Sequence, residues 1–285
     1  IWMNIIAVPL ARHANPARLP YLTYLSQPVA AAATKLSTKP SYAQRAIQYA
    51  SDMWTTWGRP ETTSLLNWKR RVHAFGERIM DRIEYEEWAL KSIDQVLGPS
   101  IHALLTSRLH LREPREEHPT HVAVLYPPSV VGRTSVMESL RNMAHHRAPH
   151  HYRLLFYNMV AIPVTAPLFL IPVIPNVFTY YFMWRAWSHW RAYVASMSLE
   201  SLLQHGLVEC KPDDQLDAIY AEAKSHKSQH AQKQPSGWTF FLDQDDMASL
   251  THHYALSAQA FVDLRRASQQ AIYDIMRQRR QQRAS

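Results

Sequence analysis

The stretch HHRAPHH places His145, His146, His150 and His151 within seven residues. Imidazole titrates close to neutral pH, so this density makes the four rings candidates for a proton-responsive switch. The same side chains are metal ligands in other settings, but neither an HExxH frame nor a cysteine pair accompanies them. No metal centre is assigned, and a solvated or lipid-facing surface is the competing reading.

Asp81, Glu84, Glu86 and Glu87 gather carboxylates in DRIEYEEWALKS. Glu87 and Lys91 have the spacing of an ordinary surface helix pair. The group therefore reads as a solvated face or a partner contact rather than an acid–base site. At the C-terminal end, RQRRQQR presents Arg277, Arg279, Arg280 and Arg283 to an anionic partner, either RNA or an acidic lipid such as cardiolipin. A basic helix end also simply complements the helix dipole.

Composition narrows the remaining chemistry. Of 285 residues 47% are hydrophobic, enough to bury a core, and the formal charge of +8 favours a polyanionic neighbour. Cys210 is the single cysteine, which excludes an internal disulfide framework and an all-cysteine zinc site. The six glycines are scattered singly, so neither a phosphate-cradling loop nor a dinucleotide turn can be written. No Ser-His-Asp or Cys-His arrangement has recognisable local spacing; the chain is read as a non-enzyme without a cofactor. It begins with Ile1 rather than methionine, and any targeting peptide is expected upstream.

The elements that position these residues follow from periodicity. MNIIAVPL (3 to 10) and HVAVLYPP (121 to 128) are β-branched runs ended by proline, hence strands able to pair with one another. Between them, Trp68, Val72, Phe75, Ile79 and Ile83 recur at helical spacing, and helices are expected over Ser41 to Trp57 and Glu61 to Met80, on either side of Gly58-Arg59-Pro60. Residues 112 to 120 read as a charged loop and 223 to 238 as a polar linker. A long amphipathic helix is expected after DQDDMASL, with Leu250, Tyr254, Phe261, Leu264, Ile272 and Met276 on its buried side.

From Leu154 to Trp184 there is no Asp, Glu, Lys, Arg or His. The run exceeds the roughly 20 residues of a membrane helix, so a membrane-embedded segment is expected there. Pro163, Pro167, Pro172 and Pro175 must bend or break it, with Pro172-Val-Ile-Pro175-Asn176 as the natural break. Positive charge on both flanks fits a re-entrant hairpin, and a kinked single span fits almost as well. Downstream, Tyr180, Tyr181, Trp184, Trp187 and Trp190 interleave with Arg185, His189 and Arg191, the composition of an interfacial anchor. A packed aromatic helix face is the alternative.

The expected fold is mainly α with a small β element, a helical body carrying that proline-broken hairpin or span. Residues 1 to 150 would form a helical N-terminal region with the two strands, 154 to 184 the membrane segment, 185 to 222 an aromatic and basic helical region, and 239 to 285 the C-terminal helix.

Four stretches together resemble the fungal mitochondrial potassium/proton exchange-related family of inner-membrane proteins: IIAVPL near the start, IMDRIEYEEWALKSI (79 to 93), VAVLYPP (122 to 128) and LIPVIPNVFTYYFMWRAWSHWRA (170 to 192). The resemblance implies inner-membrane association and a part in the exchange that controls matrix volume; the soluble parts before and after the anchor are then expected to face the matrix. It carries over no catalytic residues. A carrier needs ionisable or carbonyl-rich sites at mid-membrane, usually built from several helices or repeats. This chain has one apolar region with no ionisable residue inside it, which favours an accessory or regulatory role; an ion path would need an oligomer or another inner-membrane protein to complete it. The alternative is a membrane-attached subunit of a large mitochondrial assembly, a ribosome or respiratory complex, without a transport role.

Overall fold

The computed structural model describes residues 2–15, 18–27, 49, 56, 67–93, 121–167, 177–229 and 237–284. Two units are distinguished, one made of Ile1–Gln27 with Tyr85–Ser285 and the other of Pro28–Glu84. In the second, α1 (Asn67–Met80) carries an i,i+4 contact of His73 with Glu77 at 3.9 Å. The helix expected over Ser41 to Trp57 and the loop at 112 to 120 fall mostly or wholly outside the described residues.

The first unit is built on β1 (Trp2–His13), whose Ile5, Ile6, Ala7 and Val8 are all fully buried. Apolar residues on both faces are what a strand needs when both sides of its sheet are covered. β1 pairs antiparallel with β2 (Tyr21–Gln27) and parallel with β3 (His121–Tyr126), in the register Trp2↔His121 to Ile6↔Leu125. β4 (Val208–Pro212) lies parallel to β3, and β5 (Trp238–Phe240) pairs antiparallel with the far end of β1, giving the order β2-β1-β3-β4 with β5 off that path. β2, β4 and β5 are short and lack clean alternation, so periodicity alone does not reveal them.

Parallel neighbours require long crossovers. The one from β3 to β4 is a helical hairpin of α3 (Arg133–Thr165) and α4 (Val177–Gln204), and a short helix α2, over 85–93, precedes β3. Ser196 Oγ donates to the Ala144 carbonyl at 2.6 Å and Thr179 Oγ1 to Thr165 Oγ1 at 2.8 Å, tying the hairpin near its base and near its tip. On one face of the sheet, Tyr24 reaches the Val136 carbonyl of α3 and Ser26 bonds Ser92 of α2. On the other, Ile6, Val8 and Leu10 pack with Leu216 and Tyr220 of α5 (Asp214–Gln229), Leu250 of α6 (Gln244–His253) and Leu264 of α7 (Ala258–Ala284). The result is a mixed sheet between two helical layers.

The fold is mainly helical with a small mixed sheet, but the expected membrane-embedded hairpin or span is not found. No helix among the described residues is long and apolar enough to cross a membrane. The described part of the uncharged run falls on two helices: α3 carries it from Leu154 to Thr165 and α4 from Val177 to Trp184. At about 1.5 Å per residue these lengths are roughly 18 and 12 Å, well short of a hydrocarbon core of about 30 Å. The remainder of each helix carries Arg133, Glu138, Arg141, Arg147 and Arg153, or Arg185, Arg191 and Glu200.

Two further differences concern local structure. α5 continues to Gln229, so the first part of the stretch read as a polar linker is helical. After the Asp243 N-cap, where a capping box with Asp246 satisfies the first backbone donors, the text read as one long helix is two. Ala255, at φ 49, turns the chain between them. Tyr254 and Leu264 are buried as expected, but Met276 is exposed and Ile275 takes the inward position.

Candidate functional site

Glu87 and Lys91 stand four apart on α2, and Arg185, Ser188 and His189 stand three and four apart on α4; each set lies on one helix face. The two faces meet around the Glu87 carboxylate, which is 3% exposed. Its Oε1 accepts from Lys91 Nζ at 2.9 Å, Arg185 Nη1 at 2.9 Å and Ser188 Oγ at 2.6 Å, while Oε2 accepts from Arg185 Nη2 at 3.3 Å. The fork of Arg185 on both oxygens is the geometry that planar guanidinium and carboxylate groups share.

Two histidines extend the network. Arg185 Nη2 lies 2.9 Å from His189 Nε2, and a guanidinium can only donate, so Nε2 is the acceptor. The neutral ring then carries its proton on Nδ1 and donates to His151 Nδ1 at 3.2 Å. His151, on α3, is left with its proton on Nε2, a buried atom without a hydrogen-bond partner among the described residues. The indole of Trp88 flanks the cluster, with Lys91 Nζ 4.2 Å and Arg266 Cζ 5.7 Å from the ring centroid.

Burial and charge set the protonation states. Burial alone raises the Glu87 pKa, but Lys91, Arg185 and the Ser188 hydroxyl outweigh it and bring the carboxyl down to about 2. Burial presses His151 down to about 3 and, together with the Arg185 charge, His189 down to about 4. Lys91 is also lowered by burial, opposed by Glu87. At neutral pH the site holds one carboxylate, two cations and two neutral imidazoles.

Could this be a metal site? Ligand atoms of Glu87, His151 and His189 lie within 4.8 Å of one another, which makes them the group able to close on an ion among the described residues. The carboxylate is already occupied by an ammonium and a guanidinium, and two fixed cations oppose a divalent third. The arrangement fits an ion-pair network better than a metal centre.

The residues singled out from sequence are dispersed by the fold. Of the four histidines, His151 is buried in the cluster, whereas His145, His146 and His150 are exposed, His145 lying 3.3 Å from Glu200. Of the interfacial anchor, Tyr180, Trp184, Trp187 and Trp190 are exposed and Tyr181 is half-buried, while Arg185 and His189 turn inward and Arg191 reaches the Lys91 carbonyl at 3.3 Å. Pro163 and Pro167 are exposed; Pro172, Pro175 and Asn176 lie outside the described residues. Arg277 and Arg280 are exposed on α7 and Arg279 is half-buried, while nothing is described of the Arg283 side chain. Glu87 and Lys91 form the pair their spacing suggests, but in the interior rather than at the surface. Ser188 had no signal of its own in the sequence beyond sharing a helix face with Arg185.

All of Glu87, Lys91, His151, Arg185, Ser188 and His189 lie within residues 4–203, the region matched by the family model described as mitochondrial K+-H+ exchange-related. The chain belongs to that family. Membership associates it with mitochondrial K+/H+ exchange. Two relatives, both named as uncharacterized proteins, are similar to this family member: one of Saccharomyces cerevisiae, 28% identical over 57% of this chain and 52% of its own length, and one of Schizosaccharomyces pombe, 26% identical over 75% and 81%. The chain thus spans about half the length of the first relative. No solved structure matches it.

Proposed function

We propose that the chain serves mitochondrial K+/H+ exchange as an accessory or regulatory component at the inner membrane, not as the cation's own path. The observation that carries this reading is the closure of the buried cluster. A potassium path needs oxygen ligands able to replace hydration water. The most deeply buried carboxylate among the described residues is committed to Lys91, Arg185 and Ser188, and a potassium ion beside it would face two like charges. Such a network instead locks α2 against α4.

Location at the membrane is supported by the outer part of the hairpin. Phe156, Tyr157, Val164, Tyr180, Met183 and Trp187 are all at least half exposed there, beside the exposed Arg153. Apolar and aromatic side chains next to a guanidinium suit the surface of an anionic, cardiolipin-containing bilayer, touched from the matrix side and not crossed.

Potassium acetate-induced swelling of mitochondria lacking the chain tests the function, with nigericin as bypass. Swelling that is lost and restored by nigericin supports a part in exchange; normal swelling rejects it and favours a subunit of a larger mitochondrial assembly. The accessory role falls if the purified chain alone exchanges K+ for H+ in proteoliposomes.

A further inference from the structure

A cavity of about 1090 Å³ opens between the β1–β2 connection, β2, α2, α3 and the last turns of α7. Arg18, His146, Arg147 and His150 line it, and Glu86 is the one carboxylate among its lining residues. Arg147 Nε donates to Glu86, an ion pair whose side chains are 24% and 27% exposed. An internal carboxylate therefore sits where a guanidinium on the cavity wall would hold an incoming anion, and that anion would compete with it. Also on the wall, Gln278 Nε2 donates to the Tyr21 hydroxyl at 3.3 Å, and Trp238 adds an aromatic surface. Amide and phenol groups suit hydroxyls or a heterocyclic edge.

Volume decides between an inorganic anion and a larger one. Ligand pockets for drug-sized molecules run to about 1,000 Å³. This cavity is of that size, far more than an orthophosphate fills.

We propose that this cavity binds a phosphate ester of about nucleotide size, its phosphate held by Arg18 and Arg147 in place of Glu86. The position has a mechanical consequence. Glu86 and Glu87 are neighbours on α2, as are His150 and His151 on α3, and in each pair the first residue lines the cavity while the second belongs to the buried cluster. A ligand that draws Arg147 from Glu86 acts on the two helices that hold Glu87 and His151. Binding itself is a second site and does not depend on the exchange reading.

Calorimetric titration of the purified full-length chain with ADP, with dihexanoyl phosphatidylglycerol and with orthophosphate provides the test. One of the two esters should bind with a dissociation constant in the micromolar range, on the order of tenfold or more tighter than orthophosphate. Whichever ester is tighter identifies the source as a soluble nucleotide or a lipid head group. Arg18→Gln and Arg147→Gln should each weaken binding about tenfold. Because Arg147→Gln also breaks the pair with Glu86, Glu86→Gln is the decisive variant: removing the internal competitor should tighten binding severalfold, which damage to the fold would not do. The proposal is overturned if neither ester binds, if orthophosphate binds as tightly as both, if the arginine variants bind like wild type, or if Glu86→Gln weakens binding.

Discussion

Arg185 holds Glu87 through both terminal nitrogens, at 2.9 and 3.3 Å, across 98 residues of sequence. Each comes from a stretch on which the family resemblance rests, so those two segments meet at one carboxylate. The contact joins a short helix beside the sheet to the return limb of the hairpin. A bidentate pair of this kind fixes orientation as well as distance.

Removing the carboxylate's charge should be more damaging than removing the whole network. Glu87→Gln leaves Lys91 and Arg185 buried without a counter-charge, a loss of about 3–5 kcal/mol. Replacing Glu87, Lys91 and Arg185 together by methionine removes the buried charges and should be clearly less destabilising than Glu87→Gln. Urea unfolding of both variants gives the comparison. A triple variant less stable than the single one would mean that specific hydrogen bonds, not charge balance, hold the site.

The same network makes stability acid-sensitive in a defined window. His151 and His189 titrate near 3 and 4 in the fold, below the ordinary 6.5, so between those values the unfolded chain binds more protons than the folded one. Stability is therefore full above about pH 6.5 and lost as pH falls through the window, by about 1.4 kcal/mol per pH unit for each histidine. Glu87, held at about 2 against an ordinary 4.5, adds a further loss as pH falls from about 4.5 towards 2. Chemical denaturation at pH 7.5, 6 and 5 should show the decline. His189→Gln should make its slope shallower between pH 6 and 5, and an unchanged slope would exclude this histidine as a cause.

Much of this was legible in sequence, and the missing part has a common origin. The runs around Ile5 and Val124 announce strands because β-branched residues buried on both sides leave a local trace. Pairing β3 with β4 leaves none, since it depends on a crossover of more than eighty residues. The uncharged run from Leu154 to Trp184 is equally local, but charge counted along a chain does not reveal that its two halves end different helices. Arg185 and His189 follow the same rule: beside tryptophans they have the composition of a membrane interface, and only the approach of Glu87 turns them inward. Cluster membership is a long-range fact, whereas composition is a short-range one.

Ala255 offers a test of backbone strain away from the site. Its φ of 49 is in the left-handed region, where a Cβ is crowded and glycine is not. Ala255→Gly should raise stability by about 0.5–1 kcal/mol after allowing for glycine's larger freedom in the unfolded chain. Thermal unfolding measures this directly. A lower melting temperature would mean that contacts made by the Ala255 methyl outweigh the strain.

The hairpin's outer surface separates membrane contact from folding. Phe156 and Val164 are 59% and 73% exposed, so aspartate at both positions removes little buried area and should change stability by no more than about 1 kcal/mol in all. Yet two carboxylates in an apolar surface are repelled by an anionic bilayer and are costly to bring near acyl chains. Phe156→Asp with Val164→Asp should therefore abolish flotation with cardiolipin-containing vesicles while leaving the urea midpoint essentially unchanged. Flotation equal to wild type would remove the structural support for membrane contact through this surface. A large loss of stability would instead show that these side chains are covered by the chain's own residues, which would also turn the proposed contact surface into part of the core.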